Sequence, residues 1–596
     1  MSAQGGPSKA VFPRMTQSVG SVFPLVNPVA PAADTFEIGL VLGGTVSAAA
    51  YTAGVIDFLI QALDAWTVAR KSGTAPDHKV LFKIAAGTSG GAITCVLLTR
   101  ILGYEFPHCD ETSSPTLRAE NPLYNCWVNE IDITDMLKTT DVKDGNIPSL
   151  LCADKITQVG IEIQNYRGSP LGTTSSPAIR DYFDQLLPVI LTTTNLRGIP
   201  YSTDFKGDSG RPEFYTDYAD HIRFRVDITG KNPPTVPDLA PYEIAISESA
   251  SGQVQPWSTI IQAARCSSAF PVGLPSQSFS RPLAHYRYNY AVIDDGTSAG
   301  AIWLYPAWDY MVPNVNIAGL YEFPCVDGGC FNNEPTEYAR QALAGVLGHN
   351  DRTATGAHRA VLLVDPFADT PKDDLTAELG VLAAGSATLS AFTGGARYET
   401  ADLELFTSEA VFSRFLINPV RTDSTEKTLT GGDAVATNSL MAFGGFLSLD
   451  FRNHDFMLGR RNCQQFLRTA FVLDEKNTLF TRWTKDQRNL FGKDVPGFLP
   501  VIPLVGALAN PIPQPDWPKN RFDPNAIKIQ ISDRLKSLVA AAAKSDSKLQ
   551  SWPWSWLLYF ISRFGESWVA GKAVDTISAA LQKADLLDVG KGGTSA

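Results

Sequence analysis

The sequence predicts an α/β fold built on a mainly parallel sheet, followed by a mostly helical C-terminal region. Residues 36–42 and 80–86 are apolar runs that predict buried strands, and a helical pattern follows each of them. The first helical pattern covers about residues 47–70. Strands that alternate with helices are typical of parallel sheets with right-handed crossovers. Residues 360–364 form another apolar run and predict one more buried strand.

The chain has 596 residues, which is too many for one ordinary hydrophobic core, so we expect several regions. The first region is rich in Gly, Pro, Ser and Ala, the second carries the alternation of strand and helix, and the fourth is apolar and rich in proline. The predicted regions are a flexible arm (1–34), an α/β domain (35–366) with a turn-rich insertion (105–258), a mostly helical region (367–490), an extended segment (491–526) and a helical region (527–596).

Charge and composition exclude several classes of protein. The net charge is −11, from 61 acidic and 50 basic residues, so we expect neither nucleic-acid binding nor recruitment to an anionic membrane by charge alone. We find no signal-peptide pattern and no run of the ~20 apolar residues that a membrane span needs, which predicts a cytoplasmic protein. Eight cysteines without regular spacing predict mostly reduced thiols, and the sequence indicates neither a metal site nor a cofactor.

The pentapeptide Gly87-Thr88-Ser89-Gly90-Gly91 lies between a predicted strand and a predicted helix. This is the layout of a nucleophile elbow, in which a tight turn lifts the serine hydroxyl clear of the backbone. Small residues at both ends of the pentapeptide permit the turn, and the N–H of Gly90 is a natural donor to an oxyanion. We therefore predict that Ser89 is a nucleophile, which needs a neighbouring base.

Two other serines lie in similar strings but in less suitable surroundings. Ser298 follows two aspartates, and Pro306 ends any helix that starts after it. Ser209 lies in a polar loop, and no histidine pattern of a chymotrypsin-like protease accompanies it. Because Ser89 has the strand–turn–helix context that both of them lack, it is the predicted nucleophile.

Two aspartates on glycine turns are candidates for the base. Asp327 precedes Gly328 and Gly329, whose lack of side chains lets the backbone approach another element closely. Asp295 also precedes a glycine. Either aspartate could instead be an ordinary turn residue.

A histidine is the alternative base. In a Ser–His–Asp triad an imidazole takes the proton of the serine. His349 and His358 follow Asp327, which is the chain order of α/β-hydrolases. The residues alone leave the choice between aspartate and histidine open.

Four blocks, in the same order along the chain, resemble the patatin-like phospholipase family. They are a glycine-rich loop with the following helix start (43–55), the nucleophile elbow (87–91), the stretch before the aspartate (263–271) and the aspartate turn with its Asn and Pro (327–335). The resemblance extends over about residues 36–366, and the added C-terminal region is similar to the larger bacterial-type members. Four ordered blocks are more specific than one, and the Asp295 site lacks the Asn–Pro tail.

The resemblance implies a three-layer α/β/α domain and a lipid acyl hydrolase of phospholipase A type. It implies that Ser89 attacks a fatty-acyl ester of a phospholipid or other acyl lipid, and that Asp327 takes its proton without a catalytic histidine. An acyl-enzyme would form at Ser89, and water would then release the fatty acid. The oxyanion hole would use backbone N–H groups near Gly43, Gly44 and Thr45, beside that of Gly90.

The oxyanion loop departs from the usual pattern of the family. Typical members have three glycines and a basic residue, whereas this chain has Gly43 and Gly44 followed by Thr45 and Val46. The loop is closer to that of a branch with a Gly-Gly-x-Ser sequence. A non-catalytic lipid-binding or scaffold relative is therefore one alternative, and an esterase or thioesterase with a Ser–His–Asp triad is the other.

Two further features could contact a lipid, and the sequence therefore also indicates peripheral membrane contact. Arg460 and Arg461 could hold a phosphate headgroup, although a structural ion pair between helix and domain is the favoured interpretation. Three tryptophans near the C-terminus could lie at a lipid interface, although a packed helix is the favoured interpretation for Trp552, Trp554 and Trp556.

Overall fold

A computed structural model gives the fold of the chain. The structure describes residues 29–143, 146–172, 179–203, 213–230, 233–235, 239–289, 291–294, 301–304, 306–346, 348–367, 400–440, 442–544 and 565–589. The predicted arm lies almost entirely outside the described residues, and so do the three tryptophans near the C-terminus. The predicted division into regions stays a prediction.

The strands of the described residues are numbered in chain order. They are β1 (Thr35–Leu42), β2 (Lys79–Gly87), β3 (Tyr104–Glu105), β4 (Ser169–Pro170), β5 (Leu186–Thr203), β6 (Glu213–Asp227), β7 (Glu243–Ile246), β8 (Gln277–Pro282), β9 (Ala291–Asp294), β10 (Ala301–Leu304), β11 (Leu320–Val326), β12 (Arg359–Val364), β13 (Arg414–Ile417), β14 (Val420–Thr422), β15 (Thr428–Thr430), β16 (Val472–Asp474) and β17 (Phe498–Pro500).

The α-helices of the described residues are numbered in the same way. They are α1 (Ala49–Lys71), α2 (Gly90–Ile101), α3 (Pro115–Glu120), α4 (Pro122–Tyr124), α5 (Ile133–Met136), α6 (Asp154–Asn165), α7 (Trp257–Ser267), α8 (Trp308–Met311), α9 (Thr336–Ala344), α10 (Thr400–Thr407), α11 (Leu449–Thr469), α12 (Lys485–Phe491), α13 (Lys528–Ala543) and α14 (Glu566–Lys583).

A central sheet joins nine of the described strands, and most of its pairs are parallel. The order is β13-β12-β1-β2-β5-β11-β8, and β6 pairs with β5 and with β7. The pairs from β13 to β5 are parallel, as is β6 with β7, whereas β5–β6, β5–β11 and β11–β8 are antiparallel. The predicted α/β fold class is confirmed.

Helices cover both faces of the sheet. Ile38, Leu40 and Leu42 of β1 belong to a hydrophobic cluster that also contains residues of α1 and α2. Val41, which points to the other face because side chains alternate along a strand, packs in a second cluster with Leu343 of α9. The sheet is therefore the middle of three layers.

Strand β5 pairs with β6 along one of its edges and with both β2 and β11 along the other. Leu191 is the last residue of β5 that pairs with β2, and its partner is Gly87. Three positions further along β5, Thr194 pairs with Val326 of β11. Because β2 runs parallel and β11 antiparallel to β5, the C-terminal ends of β2 and β11 point toward each other. Strand β5 comes from the segment in which the sequence predicts a turn-rich insertion.

Helix α11 of the C-terminal region crosses helix α1 at close range. A Cβ atom on Gly54 would overlap the carbonyl oxygen of Phe456, and one on Gly459 would overlap the carbonyl oxygen of Tyr51. The two backbones therefore touch at a pair of glycines. Helix α11 is an integral part of the fold around the first helix.

A buried carboxylate fixes the same crossing. Asp57 of α1 has no exposed surface and accepts a hydrogen bond from the guanidinium of Arg460 on α11. Its other oxygen lies 2.8 Å from Nδ1 of His108 and 2.7 Å from Nδ2 of Asn121. Removing one partner of such a buried network leaves the carboxylate incompletely paired, which lowers the free energy of unfolding.

Helix α1 is also the most apolar long helix of the described part. The stretch Val46–Lys71 is long and apolar enough to cross a membrane by length and composition. However, 89% of its most apolar window is buried inside the fold. The stretch is a core helix, packed between α2 and α11.

We predict that Gly54→Ala destabilises the protein by about 3 kcal/mol, because the new methyl group must push α11 away from α1. Gly571→Ala on α14 is the matched control, since the nearest atom that its Cβ would meet is 4.0 Å away. Alanine is the better helix former, so the control should be neutral or more stable by up to about 1 kcal/mol. Urea unfolding followed by circular dichroism measures both; equal stability of Gly54→Ala and wild type would contradict the close crossing.

Candidate active site

Ser89 lies on the turn from strand β2 into helix α2. Its backbone has φ 54° and ψ −124°, a conformation that costs a residue other than glycine about 1–3 kcal/mol. The turn runs directly beside the end of β1, where a Cβ atom on Gly91 would overlap the carbonyl oxygen of Leu42. Gly87 is the last residue of β2, and Thr88 lies between it and Ser89. The strained backbone holds the Ser89 side chain at the C-terminal end of the parallel strands.

Asp327 follows directly after strand β11 and meets Ser89. The Ser89 hydroxyl donates a hydrogen bond of 2.6 Å from Oγ to Oδ2 of Asp327. The other carboxylate oxygen, Oδ1, accepts a bond of 2.8 Å from the N–H of Gly329. Ser89 is 5% exposed and Asp327 is 4% exposed, so the bond is almost shielded from water. The structure therefore brings together two side chains that are 238 positions apart in the sequence.

Threonines of strand β5 hold both partners of this pair. The hydroxyl of Thr192 lies 2.7 Å from the hydroxyl of Thr88, next to the serine. Thr194 donates a bond of 2.7 Å to the carbonyl oxygen of Asp327. Gly328 packs directly on Thr192, since a Cβ atom there would lie 2.7 Å from its carbonyl oxygen. Sequence reasoning missed these threonines, although a run of three after an apolar strand was a visible signal.

The end of helix α7 holds the same pair from another side. The backbone N–H of Ser89 donates a bond of 2.9 Å to Oγ of Ser267, which is fully buried. The N–H of Asp327 donates a bond of 2.9 Å to the carbonyl oxygen of Ala269. Residues 263–271, one of the four blocks of the sequence pattern, thus contact both the serine and the aspartate.

Burial makes Asp327 a stronger base than an ordinary carboxylate. Desolvation raises the pKa of Asp327 from 3.8 to about 6, against the hydrogen bonds from Ser89 and Gly329, which lower it. The carboxyl is therefore anionic above about pH 6 and still basic enough to compete for a proton near neutral pH.

Two of the predicted oxyanion donors are already engaged. The N–H of Gly43 donates 3.1 Å to the carbonyl oxygen of Val364, and the N–H of Gly44 donates 3.1 Å to that of Asn333. Both bonds complete pairings between neighbouring segments, so Gly43 and Gly44 do not offer free donors in this structure. The N–H groups of Thr45 and Gly90 have no acceptor among the described residues.

The two histidines of the alternative triad lie elsewhere. His349 is exposed on the connection between α9 and β12. His358 precedes β12 at the N-terminal end of the parallel strands, whereas Ser89 lies beyond their C-terminal end; its Nε2 is 2.7 Å from Oγ1 of Thr478. All seven histidines lie in described ranges, and none of them forms a hydrogen bond with Ser89 or Asp327.

Arg460 and Arg461 lie on helix α11. Arg460 is buried, pairs with Asp57 and donates a bond of 2.6 Å to Oε1 of Gln61. Its guanidinium therefore joins α11 to α1 and is not free to hold a headgroup. Arg461 is partly buried, and burial lowers the pKa of its guanidinium.

Three other candidates of the sequence analysis lie outside the described residues, namely Ser209, Asp295 and Ser298. All eight cysteines are described, and each is a free thiol. Over the described ranges, no group of three or more His, Cys, Asp or Glu side chains is arranged to hold a metal ion.

Comparisons with known proteins agree with the four sequence blocks. A family model described as patatin-like phospholipase matches residues 40–340. A protein of Sinorhizobium fredii (strain NBRC 101917 / NGR234), named uncharacterized protein y4iI, is 32% identical to this chain over 555 residues. That similarity covers 86% of this chain and 76% of the relative, so it extends beyond the residues that the family model matches.

We predict that Ser267→Ala slows the reaction of Ser89 with a fluorophosphonate probe roughly 10-fold, because the strained backbone N–H loses its acceptor. Ser268→Ala is the matched control, since the Ser268 hydroxyl bonds within its own helix, to the carbonyl oxygens of Ala264 and Arg265. Labelling rates of the purified variants measure the effect. Equal rates for the two variants would show that the bond from Ser267 does not position the serine.

Proposed function

Because this chain belongs to the patatin-like phospholipase family, we propose that it is a lipid acyl hydrolase with Ser89 as nucleophile and Asp327 as base. The family supports lipid acyl hydrolase activity in general terms. The observation that carries the residue assignment is the hydrogen bond of 2.6 Å from Oγ of Ser89 to Oδ2 of Asp327. A buried carboxylate within reach of a serine on an elbow can take its proton directly.

In the proposed acylation step, Oγ of Ser89 attacks the carbonyl carbon of a fatty-acyl ester. Asp327 takes the hydroxyl proton while the new Oγ–C bond forms, and the electron pair of the carbonyl bond moves to its oxygen. When this oxyanion collapses, the C–O bond to the alcohol breaks and the leaving oxygen takes the proton from Asp327. The products are the free alcohol, a lysophospholipid for a phospholipid substrate, and an acyl-enzyme at Ser89.

The proposed deacylation step reverses these roles with water. Asp327 takes a proton from a water molecule as the water oxygen attacks the acyl carbon. The second oxyanion collapses, the bond between the acyl carbon and Oγ breaks, and Ser89 regains its proton from Asp327. The raised pKa of Asp327 suits both directions of this transfer, because a carboxyl of pKa about 6 can accept and return a proton near neutral pH.

The start of helix α2 supports the stabilisation of the oxyanion. The N–H groups of the first helical residues have no partner within the helix and carry the positive end of its dipole. Gly90 is the first residue of α2 and directly follows the nucleophile. Its N–H, together with that of Thr45, is the proposed backbone donor set.

An aromatic surface near the site supports a lipid substrate. We define it by exposed side chains on or near the β5–β6 hairpin, which projects past the edge of the sheet where Ser89 lies: Phe214, Tyr218, Tyr310 and Phe331. The rings of Phe214 and Tyr310 are 4.5 Å apart, and those of Tyr218 and Phe331 are 6.0 Å apart. Aromatic side chains favour the boundary between water and lipid, so we propose that this surface rests on the lipid from which substrate enters.

A triad with histidine has less support. The candidate base His358 would have to cross the sheet, along the length of β12, to reach Ser89. Oδ2 of Asp327 accepts its hydrogen bond from Ser89 and not from an imidazole. The arrangement thus favours a base that is the carboxylate itself.

We predict that Ser89→Ala and Asp327→Asn each lower the hydrolysis of phosphatidylcholine by a factor of about 1,000 or more, because each removes an indispensable partner of proton transfer. His349→Ala and His358→Ala should keep most of the activity. Fatty-acid release from mixed micelles measures all four, and circular dichroism checks folding. Loss of activity in either histidine variant, with Asp327→Asn active, would favour the triad instead.

We predict that kcat/KM falls on the acid side with an apparent pKa of about 6, the pKa of Asp327. Below that pH the carboxyl is protonated and cannot accept the proton of Ser89; above it the carboxylate is free and the rate reaches a plateau. The rate of p-nitrophenyl butyrate hydrolysis between pH 4 and 9 provides the measurement. An acid limb centred near pH 4 would mean that burial does not tune this carboxyl.

We predict that the double variant Phe214→Ser, Tyr310→Ser loses about 10-fold in activity on phosphatidylcholine vesicles but keeps its activity on soluble p-nitrophenyl butyrate, because lipid contact and chemistry are separate. Ile529→Ser on α13 is the control, since Ile529 is exposed but lies outside the aromatic surface. If both substrates were affected equally, or if the control behaved like the double variant, the surface would not be the lipid contact.

A further inference from the structure

Thr45 carries a buried hydroxyl that the hydrogen-bond network of the fold does not use. The residue has no exposed surface, and its Oγ1 finds no hydrogen-bond partner among the described residues. Burying a hydroxyl without a partner is unfavourable, and most buried polar groups in proteins are paired. A structural role would be served better by valine, which has the same shape and no polar atom.

The hydroxyl lies against the residue that follows the nucleophile. Oγ1 of Thr45 is 2.5 Å from the position that a Cβ atom on Gly90 would occupy. With a bond of about 1.5 Å from that Cβ to its Cα, Oγ1 is within ~4 Å of the Gly90 backbone. The unused hydroxyl and the unused N–H of Gly90 therefore border the same space at the start of helix α2.

Two other backbone N–H groups of this loop are already engaged and are not available to an oxyanion. The N–H groups of Gly43 and Gly44 are bonded to carbonyl oxygens. Thr45 directly follows these two glycines in the loop. A threonine at this place adds a donor on its side chain, and its hydroxyl can rotate to point its proton at a developing negative charge.

We infer that Thr45 is a catalytic residue whose side-chain hydroxyl donates a hydrogen bond to the oxyanion, in addition to the proposed backbone N–H donors of Gly90 and Thr45. This inference rests on the proposed Ser89 chemistry. When Oγ of Ser89 bonds to the carbonyl carbon, the carbonyl oxygen gains the electron pair and accepts the bond from the Thr45 hydroxyl beside those from the two backbone N–H groups. The proton of Thr45 stays on Oγ1 throughout, so no further reactant is needed.

The test compares Thr45→Val, which removes the hydroxyl at constant shape, with Thr45→Ser, which keeps it. Thr52→Val is the matched control, because Thr52 is likewise fully buried and its Oγ1 also has no partner, but it lies inside helix α1. The readouts are kcat and KM for p-nitrophenyl butyrate and the rate of labelling of Ser89 by a fluorophosphonate. Melting temperatures check folding, and Thr45→Ala replaces Thr45→Val if the latter does not fold.

We expect Thr45→Val to lower kcat roughly 100-fold with little change in KM, and to slow labelling by a similar factor. Thr45→Ser should stay close to wild type, and Thr52→Val should match wild type. The inference is overturned if Thr45→Val keeps the wild-type kcat, or if Thr45→Ser falls as far as Thr45→Val, since packing rather than the hydroxyl would then be responsible.

The labelling rate separates failure of this inference from failure of the proposed function. If wild type is labelled at Ser89 but releases no fatty acid from phospholipid, the lipid substrate is wrong while the labelling rates still test Thr45. If wild type is not labelled at Ser89, the nucleophile and the role of Thr45 are both overturned.

Discussion

Strand β5 sets the distance between the two side chains on which the proposed chemistry depends. It pairs with β2 up to Leu191 and with β11 from Thr194, so the two strands end facing each other. The hydrogen bonds between paired strands fix the position of each strand relative to its neighbour, because a shifted register would leave buried N–H and C=O groups without partners. The pairing of one strand with two partners therefore brings a serine and an aspartate from distant parts of the sequence to 2.6 Å.

The C-terminal region contributes to the same site through the oxyanion loop. Ser47, two residues after Thr45, donates to the carbonyl oxygen of Ala442 and accepts a bond of 3.0 Å from the N–H of Gly445. The rings of Phe443 and Phe270 are 5.3 Å apart, which links the region to the block before the aspartate. With α11 packed on α1, these contacts make the region part of the scaffold that shapes the loop.

The elbow could be predicted from the sequence because its cause is local. Strand, small residues and helix follow one another directly between Lys79 and Ile101, so the turn that carries Ser89 is set by neighbouring residues. Asp327 could be chosen over Asp295 as the partner of Ser89 only by a family resemblance. No local sequence pattern indicates which aspartate turn will lie next to the elbow in the folded chain. The pairing of β11 with β5, which places Asp327, could not be predicted from the sequence. The strand becomes polar from Thr192 to Asn195, and such a polar run is typical of a loop.

The donors of the oxyanion loop were beyond sequence reasoning for a related reason. Whether the N–H of Gly44 is free depends on Asn333, which is 289 positions away.

The most direct test of the account is a crystal structure of the protein after reaction with an alkyl fluorophosphonate. We expect phosphorus bonded to Oγ of Ser89, a phosphonyl oxygen within hydrogen-bond distance of the Gly90 N–H, and Asp327 as the one basic side chain at the adduct. A histidine at that place, or phosphorus on another residue, would contradict it.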